Sequence, residues 1–249
     1  QPRTLPDGTV YATDKAFKYT VRNYLKDVYS EDYVFFFRRL DEHLNPYTLE
    51  EAFKAKLGAD KKFDAKSKES KQEALDELLK CIDIRLFGAT FAMKATGGNI
   101  ALSIHGPVQV NHGINIWHEN NIYSEQILSP FRNPKEQGDE ERETGQTTIG
   151  RQSKLHEGHY LHHFSINPKN LEDFQGRTTK QLTTEDISKL KESMQRGATY
   201  YDSTSKSGTE NELLVWVQLK EDSKLVLPNF SQLIKLKEEK KDRERKLLF

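Results

Sequence analysis

The chain is 249 residues long, 35% hydrophobic and 31% charged, and its 38 basic residues balance 38 acidic ones. Zero net charge excludes a global field for nucleic acid, so any such binding must rest on local basic stripes. Cys81 is the only cysteine, which rules out an internal disulfide and suits a reducing compartment. No run approaches the roughly 18 apolar residues of a membrane span, and no signal-peptide pattern is visible. These features predict a soluble, cytoplasmic protein without membrane association.

Residues 1–13 read as a loop with turn chemistry at Pro6-Asp7-Gly8. A helix is predicted from about Asp14 to Tyr29, capped by Thr13, with Phe17, Val21, Tyr24, Leu25 and Val28 on its apolar face. Lys15, Lys18, Arg22 and Lys26 form a second stripe, about 120° round the helix from the first. Like charges on one face repel unless an anion sits among them, and a solvated face is the plain alternative. Tyr33 to Arg39 reads as a short strand, and Thr48-Leu49-Glu50-Glu51 starts a helix ending near Gly58. Residues 58–72 carry Lys61, Lys62, Lys66, Lys68 and Lys71 and read as a flexible lysine-rich insertion. A short helix, Glu73 to Lys80, follows.

The run Asp83 to Phe91 is apolar on both sides and reads as a strand covered from above and below. It turns at Thr96-Gly97-Gly98-Asn99 into a return strand kinked at Gly106-Pro107. Beyond the kink, Val108, Val110, Ile114 and Ile116 alternate with Gln109, Asn111 and Asn115, predicting one apolar face and one row of amides. After Trp117 the stretch 118–150 is irregular, with Ile122, Ile127, Leu128 and Phe131 ahead of an acidic run from Glu136 to Glu143. Leu155 to Asn167 reads as a strand and Asn170 to Phe174 as a helical turn. Thr183 to Arg196 is predicted to be a helix, with a Thr183/Asp186 cap, Ile187, Leu190 and Met194 inward, and Gly197 as its stop. A polar loop, Ser203 to Gly208, carries Lys206, and Glu212 to Leu219 reads as a strand. The tail 235–246 alternates Lys, Arg and Glu and reads as a solvated helix or mobile end.

Two spaced motifs, Arg85-Leu86-Phe87-Gly88 and Gly106-Pro107-Val108-Gln109, resemble the backbone subunit of type I CRISPR interference complexes (Cascade), most closely subtype I-B. That family belongs to the RAMP superfamily. The resemblance implies an α/β (α+β) fold over 1–249: a modified RNA-recognition-motif or ferredoxin-like sheet with long thumb and finger insertions. It implies a thumb at 118–150, closed by Thr147-Thr148-Ile149-Gly150-Arg151, which resembles the family's Thr-x-Gly-Arg signature. Arg3, Thr13-Asp14, Lys18 and Arg22 match the segment leading into the family's first helix, where basic residues meet guide phosphates. The family's first strand and its Asn-Pro-Asn-Gly loop would precede Gln1. The implied partners are CRISPR guide RNA, further copies of the chain in a head-to-tail filament, other Cascade subunits, and target DNA reached through the guide.

Single-stranded RNA binding needs cations along the phosphates and flat or polar groups toward the bases. Lys15, Lys18, Arg22, Lys26 and Arg85 are the candidate cations, with Arg151 and Lys206 in the thumb and the late loop. An ion pair of Arg85 with Asp83 or another acid is an equal alternative. Gln109, Asn111, His112 and Thr148 offer hydrogen bonds, while Ile127, Leu128 and Phe131 offer wedges or stacking surfaces. His156, His159, His162 and His163 could gather a metal on a helix, but strand alternation splits them, so surface or stacking histidines are expected and no cofactor. The alternative activity is a metal-dependent RNA endonuclease of the same superfamily, using Asp7 in the loop before the first helix. A lone loop aspartate more often forms a turn, and no nucleophile–base pair is visible, so a non-enzymatic binding platform is the expectation.

Overall fold

A computed structural model describes residues 2–57, 61–129, 148–176, 178, 180–241 and 244–248. The fold is α+β. Its elements are β1 (Arg3–Thr4), β2 (Val10–Ala12), α1 (Asp14–Val28), α2 (Leu49–Leu57), α3 (Lys68–Leu79) and α4 (Ile82–Phe87). Strands β3 (Gly88–Ala95), β4 (Gly98–His105), β5 (Val108–Val110), β6 (Gly113–Asn115), β7 (Ile122–Leu128) and β8 (Thr148–Leu155) follow. The chain continues through β9 (Tyr160–Leu161), β10 (Phe164–Ile166), α5 (Thr184–Tyr200), β11 (Lys237–Lys241) and β12 (Glu244–Leu248). It divides into two units, one of residues 14–111 and 164–226, the other of 1–13, 112–163 and 227–249.

In the larger unit α1 and α5 pack together. Gly197 lies at their crossing, where a Cβ would meet the Thr20 carbonyl oxygen at 3.0 Å. The helix therefore runs through Gly197 to Tyr200, and that glycine serves close approach, not the predicted stop. At the other end the predicted capping box is present: Thr183 Oγ1 accepts from Asp186 N and the Asp186 carboxylate accepts from Thr183 N, both at 3.0 Å. Val21, Leu25, Val34, Ile82, Leu86, Val108, Val110, Leu190 and Met194 form one core cluster. Val28, expected inward, is 44% exposed at the fraying end of α1.

The run from Asp83 corrects the sequence reading most clearly. Residues 82–87 are a buried helix, and the strand begins only at Gly88. A fully buried short helix and a doubly covered strand both look like an unbroken apolar run, so periodicity alone does not separate them. Gly88 makes the switch, with φ 73° and ψ −176°, a region open in practice only to glycine. A Cβ there would stand 2.2 Å from the Ile104 carbonyl oxygen. The β3–β4 hairpin then alternates, with Phe91 and Met93 buried and Thr90, Ala92 and Lys94 outward. Its kink falls at Gly106-Pro107, and β5 pairs antiparallel with β10. Among the described residues, Tyr33 to Arg39 makes no ladder beyond a lone bridge from Tyr33 to Cys81, and Glu212 to Leu219 joins no ladder. Within the lysine-rich stretch, Phe63 and Ala65 are buried against the hairpin tip, and α3 starts at Lys68, earlier than predicted.

The smaller unit holds a four-stranded antiparallel sheet in the order β1-β2-β6-β9, the β7–β8 ribbon and the β11–β12 hairpin. The predicted strand 155–167 is broken into the end of β8, β9 and β10. The amide row does not continue past Asn111. Residues 111–112 break the strand, Ile114 is then 37% exposed, and Asn115 is buried. β5 and β6 belong to different sheets, so the alternation of the first does not carry into the second. Asn115 is satisfied inside: its Nδ2 donates to Glu119 O and Asn120 Oδ1, and its Oδ1 accepts from Trp117 N and His159 N.

Candidate nucleic-acid interface

The basic stripe of α1 is built together with aromatic rings. Lys18 lies 5.5 Å from the Phe87 ring centre, Lys26 4.7 Å from Phe37, and the Arg22 guanidinium 5.1 Å from Phe87 and 5.5 Å from Phe36. Each of these cations also has an acid. Lys18 pairs with Asp14 at 3.3 Å, Arg22 with Asp83 at 3.0 Å, and Lys26 with Asp27 at 2.5 Å; Lys15 is exposed. The repulsion expected along the stripe is therefore relieved within the chain, and the face is a mixture of cations and rings. Sequence pattern alone does not show these rings, because Phe35-Phe36-Phe37 reads as a strand. Three successive phenylalanines in a stretch without alternation were the available signal.

Arg85 stands apart. Its Nε and Nη2 donate to the two carboxylate oxygens of Asp186 at 3.0 and 2.7 Å, and its Nη1 donates to the carbonyls of Leu79 and Lys80. Burial alone would lower its pKa, but the Asp186 hydrogen bonds and charge, with Asp32, more than offset this and leave it raised. The partner is Asp186 of α5, not the neighbouring Asp83. Every nitrogen of this guanidinium faces protein, which makes Arg85 a structural tie between α4 and α5.

The remaining candidates are dispersed. Gln109 is half-buried and donates to Gly106 O at 2.7 Å, while Asn111 is exposed. Lys206 sits half-buried in the turn after α5, where burial lowers its pKa. In the smaller unit the His112 ring lies 5.1 Å from that of Tyr11, a residue of β2 facing Ile114 across the sheet. All seven residues of β7 are exposed, Ile127 at 44% and Leu128 at 51%. A register shift falls between those two, so that Ile127 faces Gly150 and Leu128 faces Thr148. Arg151 is exposed and pairs across the ribbon with Gln126. Phe131 and the acidic run 136–143 lie outside the described residues.

His159 is buried beside Glu157 and Trp117, the His162 ring lies over Gly113, His163 faces Phe230 edge-on, and His156 is exposed. Among the described residues no three His, Cys, Asp or Glu side chains are placed to hold a metal ion. Asp7 accepts from Thr9 N at 2.9 Å, and the Thr9 hydrogen bonds lower its pKa. It is the turn-forming aspartate of an exposed loop. Cys81 is buried, and burial pushes its thiol up to about 12.

Residues 1–247 match the family described as CRISPR-associated protein Cas7. The chain belongs to the Cas7 family. Membership makes it a RAMP-type backbone subunit of a CRISPR effector that binds crRNA; the match covers the family as a whole and does not single out subtype I-B. A comparison with curated proteins found no match. No helix among the described residues of this Cas7-family chain is long and apolar enough to cross a membrane.

Proposed function

We propose that this chain is a non-catalytic Cas7-family subunit that polymerises head to tail along guide RNA and holds it for pairing with target DNA, beside other Cascade subunits, on a modified RNA-recognition fold. The observation that carries this reading is the face of α1, where Lys18, Arg22 and Lys26 interleave with Phe36, Phe37 and Phe87. Cations beside flat apolar groups suit a single strand gripped by its backbone. A grip of that kind reads no sequence, which is left to base pairing by the guide. The exposed β7–β8 ribbon supports the filament. An isolated two-stranded ribbon is marginally stable in water, and Ile127 and Leu128 on it suit cover by a neighbouring copy and its RNA, a heterologous contact that propagates. The test is purification of the chain with a CRISPR array transcript, followed by sizing with light scattering. A regular RNA-bound series of oligomers is expected, and an RNA-free monomer would contradict the reading. Incubation with guide and target RNA in magnesium, manganese or zinc is expected to give no cleavage. Product bands that vanish with Asp7→Ala would instead establish an endonuclease.

A further inference from the structure

Asp83 is fully buried, and its carboxylate accepts three hydrogen bonds: from Phe35 N to Oδ1 at 2.8 Å, and from Phe36 N and Arg22 Nε to Oδ2 at 3.0 Å each. Only the Nε of Arg22 is used in this way. Among the described residues neither of its terminal nitrogens has a protein hydrogen-bond partner, and neither is sealed from solvent. The guanidinium is flanked by the rings of Phe36 and Phe87, and the side chain is 14% exposed. Two other arginines in the same region, Arg85 and Arg39, are committed differently. All three nitrogens of Arg85 face protein, and the fork of Arg39 is closed on the carbonyls of Val34 and Phe35. Arg22 is thus clamped at one edge and between two rings, with its planar fork left open.

We infer that Asp83 is a positioning residue for RNA: it fixes the Arg22 guanidinium so that the terminal amino groups present a preformed two-toothed fork to one backbone phosphate. The inference rests on the guide-RNA reading above and adds to it a residue that never touches the RNA. A guanidinium matches phosphate with two parallel N–H donors, and fixing it beforehand saves the entropy of ordering a long side chain on binding. The backbone hydrogen bonds from Phe35 and Phe36 give the device its rigidity, because they lock the carboxylate that aims the arginine. Reversing Arg22 to glutamate would set two carboxylates together at a buried site and confound folding with binding, so milder substitutions are needed.

The experiment measures binding of a synthetic single-stranded oligoribonucleotide to the full chain across a salt series. Wild type is compared with Asp83→Asn, Arg22→Gln and the double variant. Asp83→Asn and Arg22→Gln should each weaken binding about tenfold, the scale of a charge-assisted hydrogen-bonded contact. Each should also flatten the slope of log affinity against log salt by about 0.7, the value for one lost single-strand phosphate contact. The double variant should bind no more weakly than either single one. An unchanged salt slope in Asp83→Asn, or a further loss when it is added to Arg22→Gln, would overturn the inference and leave Asp83 a merely structural acid. Should Asp83→Asn not fold, nitrogen resonances of wild-type Arg22 decide: RNA should shift the terminal amino signals while the Nε signal stays protected. Terminal signals that do not move would overturn it equally. Wild type that binds no RNA at any salt would overturn the guide-RNA reading itself.

Discussion

Replacing Arg85 by methionine separates a structural cation from an RNA-binding one. Asp186 is 3% exposed and takes two hydrogen bonds from Arg85, at 3.0 and 2.7 Å, while completing the Thr183 capping box at the start of α5. Removing the arginine leaves that carboxylate buried without its cation and takes a donor from the part-buried carbonyl of Leu79. Breaking one side of a buried pair costs about 3–5 kcal/mol. The capping hydrogen bonds still hold Asp186, so the lower end, about 3 kcal/mol, is expected. Trp216 packs on the core cluster that contains Leu86 and Leu190, which makes its fluorescence a local reporter once Trp117 is replaced by phenylalanine. Urea unfolding should show a lower midpoint with an unchanged slope, and RNA affinity of the folded variant within about threefold of wild type. Removing Asp186 as well should recover part of the loss, since the stranded charge goes with it. An unchanged midpoint together with a loss of RNA binding would refute the reasoning and return Arg85 to the RNA-binding set.

Gly88→Ala adds a Cβ at a φ of 73° and 2.2 Å from a carbonyl oxygen, and should cost at least about 3 kcal/mol from backbone strain and overpacking, read as loss of soluble folded protein. Tyr29 donates to Glu192 at 2.6 Å, and that bond, with burial, pushes its pKa up to about 12. The stability from this raised pKa is complete below the unfolded value of about 10 and is lost as pH rises through about 12. The melting-temperature gap between wild type and Tyr29→Phe should accordingly close over that interval, and a constant gap would argue against the bond. Ile127→Ser with Leu128→Ser should abolish RNA-driven oligomers in light scattering while the circular dichroism spectrum stays unchanged; intact oligomers would remove the ribbon from the subunit contact.

The readings that held were those in which one period or one cap spoke alone. The 3.6-residue spacing of Val21, Tyr24 and Leu25 located α1, and Thr183 with Asp186 located the start of α5. Those that failed were decided by tertiary context. Burial on all sides makes the helix 82–87 look like a strand, and the break at 111–112 puts Ile114 and Asn115 in a different sheet from Val108 and Val110. The basic stripe was legible because its spacing is local. The acids that hold it were not all so: Asp14 and Asp27 are near in sequence, but Asp83 is 61 residues from Arg22 and Asp186 is 101 from Arg85. No local pattern links such pairs, and they decide which arginine is open to an anion. Gly197 is a further case: it reads as a helix stop, and the helix continues through it where α1 crosses.

The central claim is a sequence-blind grip on the phosphates of guide RNA. The most direct measurement is the affinity of the purified chain for two single-stranded RNAs of equal length and unrelated sequence across a salt series. Binding through several phosphates predicts one shared steep slope, about 0.7 per contact, and affinities that agree within a few fold. A shallow slope with strong preference for one of the two sequences would contradict it.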